Sequence, residues 1–419
     1  MFEKVLSKFS VFVKYCLAPL SDQSTSRLDS WPVKLCALGL IVGMTFSAPL
    51  WLNFGRTLPV CALFPLGQLA LLTPLLSIVT VFSAFSLVLV GVNRLAVGLL
   101  LLSMSALVLM DLNRLQPWVY EYCLIILLFT ITDSSADYKE KRFQYLGLII
   151  MAIYLFSGLE KLNWRFLTGI GPWLGGFSPS PAMCLSGDQN AVAVSLLMCL
   201  GEIFMALLLV FRRTRFLGIC GCMFMHLTIL AMLGPQGLNI NAVVWPWNIF
   251  QMLLMAGCFM ELQNSGLAFL RLDFSRNRKA SSLVVFAGVL LPVLGLFQLA
   301  DPYPSFSFYS GDVPRGRLIF KAATLQKLPP QLQRICRYDR VNALCFLDFA
   351  DWALIETTAP AYPSKFCLLS MAKAFVATYQ PDCLVLRIST FPKFTCREMR
   401  EEVLFKMNSQ VVLISGQEQ

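Results

Sequence analysis

Long uninterrupted apolar runs, instead of alternating apolar and polar positions, dominate the first 300 residues of the chain. Each is close to the roughly 20 residues that an α-helix needs to cross a bilayer. The runs are Val33–Leu52, Gln68–Val90, Leu95–Met110, Trp118–Thr132, Tyr145–Leu162, Ala191–Val210, Phe216–Leu233, Val243–Met260 and Leu283–Ala300. A membrane β-barrel would show short segments of alternating polarity instead. The pattern therefore predicts an all-α polytopic membrane bundle of about nine spans.

The composition agrees with this fold class. Of the 419 residues, 57% are hydrophobic and only 14% are charged. A soluble domain has about 25% charged residues. The lipid bilayer is therefore the first expected partner of this chain.

Basic residues fall mainly in alternate loops, which orients the predicted bundle. One side holds Lys4, Lys8, Lys14, Arg27, Lys34, Arg94, Lys139, Lys141, Arg142, Arg212, Arg213, Arg215, Arg271, Arg276, Arg278 and Lys279, and the other holds Arg56, Arg114, Lys161 and Arg165. Cytoplasmic loops carry the excess of Lys and Arg. The N-terminus is therefore predicted to be cytoplasmic and the segment after the ninth run extracytoplasmic. This asymmetry accounts for the net charge of +10, so no nucleic-acid partner is expected.

Two segments flank the bundle, which we assign to residues 33–300. In residues 1–32, Phe2, Val5 and Phe9 recur at helical spacing while Lys8 lies on another face. This spacing predicts an amphipathic helix on the cytoplasmic membrane surface. The alternative is a fraying tail.

The other flanking segment, residues 301–419, carries 14 of the 34 basic residues. Strands are predicted over Arg317–Phe320 and Cys383–Ser389, and a helix over Pro363–Tyr379. These elements indicate a small extracytoplasmic α+β domain. Its cysteines would face an oxidising compartment, where up to two disulfides could form. They are Cys336, Cys345, Cys367, Cys383 and Cys396.

Ionisable residues inside the apolar runs are the first candidates for chemistry, because charge at membrane depth is costly and marks function. Glu160 and Lys161 stand near the end of the fifth run, Glu202 lies in the sixth, and the only histidine, His226, lies in the seventh. A lysine in a water-poor pocket is a usable base near neutral pH. We assign this role to Lys161, with His226 and Glu202 as hydrogen-bonding or proton-relay groups. The alternatives are a lysine that extends to the interface and a histidine that only packs.

The segment Val244-Trp-Pro-Trp-Asn248 places a proline between two indoles at the start of the eighth run. Tryptophans are common at membrane interfaces, which is one explanation. A kinked, aromatic-walled pocket with an amide donor would also suit a flat ring ligand. Trp245, Trp247 and Asn248, together with Glu160, are therefore our candidate ligand-binding residues. No metal-ligand cluster is visible in the sequence.

The order of these residues resembles the HTTM membrane domain of the vitamin K-dependent γ-carboxylases. Gly158-Leu-Glu-Lys161-Leu is similar to the Gly-x-x-Lys-Leu segment of that family, and Glu202 and His226 follow in the same order. The similarity spans roughly residues 49–260. It implies a membrane domain that binds a reduced quinone, which Lys161 would deprotonate.

The resemblance is closest to uncharacterised bacterial members with similar Trp-Pro-Trp-Asn and Ser-Phe-Tyr-Ser-Gly elements. We do not predict a genuine vitamin K-dependent carboxylase. Those enzymes have a second lysine where this chain has Glu160, and they have a further histidine that this chain lacks.

Two functions from different classes follow. The first is a membrane protein that binds a quinone-like or other lipid-soluble ligand within the bundle, with redox or acid–base chemistry at Lys161. The second is a non-catalytic scaffold whose outer domain binds an extracytoplasmic protein partner. Convergence of Lys161, Glu202 and His226 on one site would favour the first. A transporter ranks third, because the sequence shows no inverted repeat.

Overall fold

The structure is a computed structural model that describes residues 30–63, 71–133, 135, 138–176, 189–381, 384–390, 400–407 and 410–416, without the side chains of 268, 269 and the last two ranges. The amphipathic helix predicted for residues 1–32 lies almost wholly outside the described residues. Of the described chain, most is helical, and a small antiparallel sheet lies near its C-terminal end.

The bundle is built from apolar helices that coincide with the predicted runs. They are α1 (Trp31–Phe46), α2 (Thr73–Val90), α3 (Arg94–Met110), α4 (Pro117–Ile131), α5 (Lys139–Glu160), α6 (Gln189–Val210), α7 (Arg215–Leu233), α8 (Val244–Glu261) and α9 (Arg278–Leu296). Among the described residues, α2, α5, α6, α7 and α9 are long and apolar enough to cross a membrane. The chain thus has the helices of a multi-pass membrane protein.

Short helical pieces connect these elements. They are Ala48–Leu52, Leu112–Arg114, Phe166–Ile170, Gly171–Leu174 and Leu267–Leu270. Several long helices begin with proline in the first turn, where its missing N–H costs nothing. In α9, the segment Phe286–Leu290 is a π-helical turn just before Pro292.

The helices differ sharply in burial. In α5, 78% of the membrane-length window is buried inside the protein, against 22% in α6 and in α7. Exposed residues on α6 and α7 are large and apolar, such as Leu197, Phe204 and Phe224. An apolar helix face that stays outside the protein suits lipid. The interior of the bundle is therefore centred on α5, while α6 and α7 form part of its outer wall.

One end of the bundle, called here the basic end, gathers the loops rich in Lys and Arg. Arg276 forms an ion pair with Asp133 at 2.7 Å, which joins the start of α9 to the end of α4. Lys139 and Glu261 join the start of α5 to the end of α8 at 3.3 Å. Arg215 donates to the carbonyl of Ser265 at 3.1 Å. These contacts hold the loops that follow α4, α6 and α8 together at one end of the bundle.

The opposite end is organised by Asp111, which follows α3 and is fully buried. Its Oδ2 accepts from Arg56 Nη1 at 2.7 Å, and its Oδ1 accepts from the backbone N–H of Cys61 at 3.0 Å. Burial alone would raise the pKa of Asp111, but Arg56 and Arg114 and the Cys61 N–H hold it below its usual value. We call this the Asp111 end.

The C-terminal elements form a six-stranded antiparallel sheet in the order β2-β3-β1-β4-β5-β6. The strands are β1 (Arg315–Lys321), β2 (Arg337–Asp339), β3 (Leu344–Asp348), β4 (Leu384–Thr390), β5 (Arg400–Met407) and β6 (Gln410–Gly416). Two short helices, Ala322–Leu325 and Pro330–Ile335, and two longer ones, α10 (Phe349–Thr357) and α11 (Lys365–Tyr379), complete this unit. The two strands predicted from sequence overlap β1 and β4, and the predicted helix contains α11.

This unit packs on the Asp111 end of the bundle. The carboxylate of Glu356 in α10 accepts from the backbone N–H groups of Thr57 and Leu58 at 2.9 and 2.7 Å. Asn113 accepts from the N–H of Tyr362 at 2.9 Å. The buried residues Leu58 and Leu112 belong to the same apolar cluster as the core of the sheet. The C-terminal unit is therefore seated on the loops of the bundle.

A disulfide joins the two parts covalently. Cys61, between α1 and α2, is bonded to Cys367 of α11, with a Cα–Cα distance of 5.4 Å and 306 positions of separation. The sequence predicted disulfides among the tail cysteines, and the partner of Cys367 lies in the bundle instead. Cys336 and Cys345 are free thiols, while Cys383 and Cys396 lie outside the described residues.

We expect the C-terminal unit to stay attached to the bundle when the chain is cut between them. A protease site inserted after the exposed Leu299 should yield fragments that separate on a denaturing gel only after reduction. In Cys61→Ser the fragments should separate without reductant, whereas Cys336→Ser should behave as the wild type. Fragments that part without reductant in the unsubstituted protein would contradict the Cys61–Cys367 bond.

Candidate functional site

Lys161 and Glu202 form a buried ion pair between α5 and α6. The Lys161 Nζ lies 2.9 and 2.8 Å from the two carboxylate oxygens of Glu202 and donates to Ser157 Oγ at 2.6 Å. The two side chains are 8% and 11% exposed. Lys161 follows the last residue of α5, but its side chain turns back along that helix. It therefore does not extend towards the interface.

Gly158 is the reason that α5 and α6 approach closely enough for this pair. A Cβ at position 158 would lie 2.8 Å from the Cys199 carbonyl oxygen and 3.1 Å from Glu202 Cβ. Only glycine leaves room for the α6 backbone at this crossing, as small residues do in membrane helix pairs. Gly158 thus allows the helix approach that brings Lys161, three positions later, within hydrogen-bond distance of Glu202.

Glu160 faces a different part of the molecule from Lys161. Its Oε2 accepts from Ser307 Oγ at 3.1 Å, in the segment that leads from α9 to β1. Adjacent residues of a helix point about 100° apart, which explains the divergence. The ligand-binding role predicted for Glu160 stays a prediction.

His226 is held by hydrogen bonds from two other helices. Its Nε2 is 2.8 Å from Tyr154 Oη of α5, and its Nδ1 is 2.6 Å from Asn248 Oδ1 of α8. Asn248 Nδ2 donates to the Val244 carbonyl at 2.7 Å, so Oδ1 is the acceptor for an Nδ1–H of His226. Nε2 of the neutral ring then accepts from the Tyr154 hydroxyl. The histidine is thus oriented on both sides.

The ion pair and the histidine belong to one neighbourhood. Glu202 lies close enough to both His226 and Tyr154 to act on them electrostatically. The sequence left open whether Lys161, Glu202 and His226 converge. In the structure Glu202 links them, because it contacts Lys161 and acts electrostatically on His226. Tyr154, which joins His226 to α5, was not singled out from the sequence.

The two tryptophans of the Trp-Pro-Trp segment point to different places. Trp247 Nε1 donates to Glu121 Oε2 of α4 at 2.8 Å, and its ring meets Phe308 edge-on at 5.3 Å between centroids. Trp245 Nε1 donates to the Leu233 carbonyl at 2.9 Å. Of the two tryptophans, Trp247 is therefore the one that donates a hydrogen bond to Glu121. The ligand-binding roles of both remain predictions.

Sequence reasoning overlooked Glu121. It is an ionisable residue inside the fourth apolar run, the same signal that selected Lys161, Glu202 and His226. It is 2% exposed and lies near Gln251, which is equally buried. Within the part of the chain that the structure describes, no three His, Cys, Asp or Glu residues gather as metal ligands.

Compared with known protein families, with curated proteins and with solved structures, the chain has no match. The carboxylase-like resemblance therefore stays an expectation from sequence.

We expect Gly158→Ala to separate α5 from α6 and weaken the Lys161–Glu202 pair. Overpacking of this kind costs about 1–3 kcal/mol, so the melting temperature of the purified protein should fall. Gly201→Ala on α6 is the matched control, because a Cβ there meets nothing within 4 Å. Equal melting temperatures for the two variants would contradict the close crossing at Gly158.

Proposed function

We propose that this chain is a multi-pass membrane protein that binds a lipid-soluble ring molecule, quinone or quinol in character, at the Lys161–Glu202 pair and exchanges a proton with it. The proposal rests chiefly on one observation, the buried ion pair beside an oriented His226. Ionisable groups at membrane depth are energetically costly, so their presence there indicates a functional role.

In the proposed topology, all nine helices span the bilayer, with the basic end in the cytoplasm. The support is the clustering of Arg215, Arg276 and Lys139 at that end. The disulfide between Cys61 and Cys367 supports the opposite location for the other end, since disulfides persist in oxidising compartments. The N-terminus is then cytoplasmic and the sheet extracytoplasmic.

The proposed ligand is lipid-soluble because of where the ion pair lies. Glu202 and His226 stand on α6 and α7, whose outer faces are apolar and exposed. A molecule dissolved in the bilayer meets these helices without crossing water. Trp247 and Phe308 supply aromatic surface nearby for a flat ring.

Proton exchange is the chemistry that the pair suits best. In the ion pair Lys161 donates to both carboxylate oxygens of Glu202, and the carboxylate is the member of the pair that can accept a proton. A ligand hydroxyl that loses its proton to Glu202 becomes an anion, which Lys161 stabilises as a neighbouring cation. The role of base, assigned to Lys161 from the sequence, is thus proposed to be shared: Glu202 accepts the proton and Lys161 stabilises the resulting anion. Tyr154 and His226 offer a further relay to the same carboxylate.

The scaffold alternative is less well supported. It would be favoured if Lys161, Glu202 and His226 lay apart instead of converging on one cavity. The contact between Lys161 and Glu202 and the electrostatic effect of Glu202 on His226 support the ligand-binding function instead. A role of the extracytoplasmic sheet in binding a protein partner is compatible with the ligand site, because the two lie in different parts of the chain.

We expect a membrane-impermeant thiol reagent to label Pro235→Cys in intact cells but not Lys139→Cys. Pro235 lies between α7 and α8 on the Asp111 side, and Lys139 starts α5 at the basic end. After membranes are opened, both should be labelled. The reverse pattern in intact cells would overturn the proposed orientation.

The ligand proposal is tested by removing the ion pair as a unit. Removing one partner alone leaves a buried charge and costs about 3–5 kcal/mol, so the informative variant is Lys161→Met combined with Glu202→Gln. Its fold should survive, while its affinity for menadione, measured by titration calorimetry, should fall at least about tenfold, because a hydrogen bond to a charged group contributes about 1.5–3 kcal/mol.

Lys139→Met serves as the control for loss of a lysine, since it lies at the basic end. It should bind menadione as the wild type does. Unchanged affinity in the double variant would contradict the proposed role of the pair.

A further inference from the structure

Glu121 is a buried acid that the ion-pair site does not use. It lies on α4 and is 2% exposed. Its Oε2 accepts from Trp247, whereas its Oε1 has no hydrogen-bond partner among the described residues. Within the described chain, the groups that act on this carboxyl are the indole of Trp247 and the side-chain amide of Gln251, whose approach to Glu121 falls short of a hydrogen bond, and neither group is a cation.

Gln251 repeats the same feature on the facing helix. It follows Trp247 by one turn of α8, so both side chains lie on the face towards Glu121. Gln251 is 2% exposed, and in the described structure neither its Nε2 nor its Oε1 has a hydrogen-bond partner. A buried polar group without a partner destabilises the folded protein. Three such atoms in one place require an explanation.

A carboxylate without a cation is very costly in an apolar bundle. Glu121 therefore holds its proton. With Oε2 accepting from the indole of Trp247, the hydroxyl is at Oε1 and points to the same place as the amide of Gln251. The site thus offers two hydrogen-bond donors and one amide acceptor, all uncharged. A neutral oxygen atom complements this arrangement, and an ion does not.

We propose that Glu121, Gln251 and Trp247 form a second binding site, which takes a carbonyl or hydroxyl oxygen of an uncharged lipid-soluble molecule through the Glu121 proton. The inference rests on the proposed function only for the class of the ligand. Glu121 acts electrostatically on Tyr154, and Tyr154 bonds to His226, so the site adjoins the ion-pair site.

Infrared spectroscopy of the full-length protein in lipid tests the protonated acid directly, because a carboxylic acid absorbs at higher frequency than a carboxylate. We expect a carboxylic-acid band that shifts in deuterated buffer and disappears in Glu121→Gln. Glu202→Gln should keep the band, since Glu202 forms an ion pair with Lys161. A band that persists in Glu121→Gln, or no band in the wild type, overturns the proposal.

Menadione is the probe for the ligand. Its addition should shift the Glu121 band in the wild type, and Gln251→Leu should weaken binding several-fold. Gln251→Leu should also keep or raise the melting temperature, because it removes two buried atoms that lack partners. A purely structural Gln251 would leave binding unchanged. A Glu121 band that menadione does not move, at concentrations that saturate the protein, overturns the second site.

The outcomes separate the two proposals. If the ion-pair double variant binds menadione normally while the Glu121 band still shifts, the proposed function fails and the second site stands. If Glu121→Gln does not fold, Trp247→Phe replaces it: loss of the indole donor should move the acid band without removing it. An unmoved band in Trp247→Phe overturns the assignment of the acid to Glu121.

Discussion

The architecture depends on Asp111, because its carboxylate joins the loop between α1 and α2 to the turn that follows α3. It takes a guanidinium from the first loop, a backbone N–H from Cys61 and the side-chain amide of Asn113. Asn113 in turn accepts from Tyr362 in the C-terminal unit. A buried carboxylate is tolerated only when it is paired and hydrogen-bonded. These bonds therefore fix the loops at this end in one arrangement. The disulfide partner Cys61 and the contacts to the sheet belong to these loops.

The same requirement sorts the other buried polar residues into two kinds. Lys161, Glu202 and His226 find their partners on neighbouring helices, and Gly158 brings two of those helices close enough to allow it. Glu121 and Gln251 leave polar atoms without partners in the described structure. The satisfied groups stabilise the packing whether or not they also act on a ligand. The unsatisfied ones do not stabilise it, which makes them the sharper indication of function.

The bundle could be predicted well, because apolar runs of bilayer length have few alternative structures. The helices follow those runs closely, although α5 begins six residues before the predicted Tyr145, where Lys139 to Gln144 form a polar first turn and a half. The close approach of Lys161 and Glu202 could not be predicted, since it depends on the crossing at Gly158. The Cys61–Cys367 bond was missed for a similar reason: spacing says nothing about partners 306 positions apart. Glu121 could have been identified in the sequence as an isolated ionisable residue. That the amide of Gln251 lies beside it without a hydrogen-bond partner could be learned only from the structure.

The segment that joins the bundle to the sheet also contacts the helix that carries the ion pair. Ser307 donates to Glu160 at 3.1 Å, and Asn163, just after Lys161, donates to the Ser310 carbonyl at 2.8 Å. Tyr309 accepts from Asn241 at the start of α8 at 2.6 Å. A displacement of the sheet would therefore pull on the ends of α5 and α8, which position Lys161 and Asn248. The disulfide opposes such a displacement from the other side of the interface. The C-terminal unit thus helps to hold the ends of α5 and α8, and with them Lys161 and Asn248, in their positions.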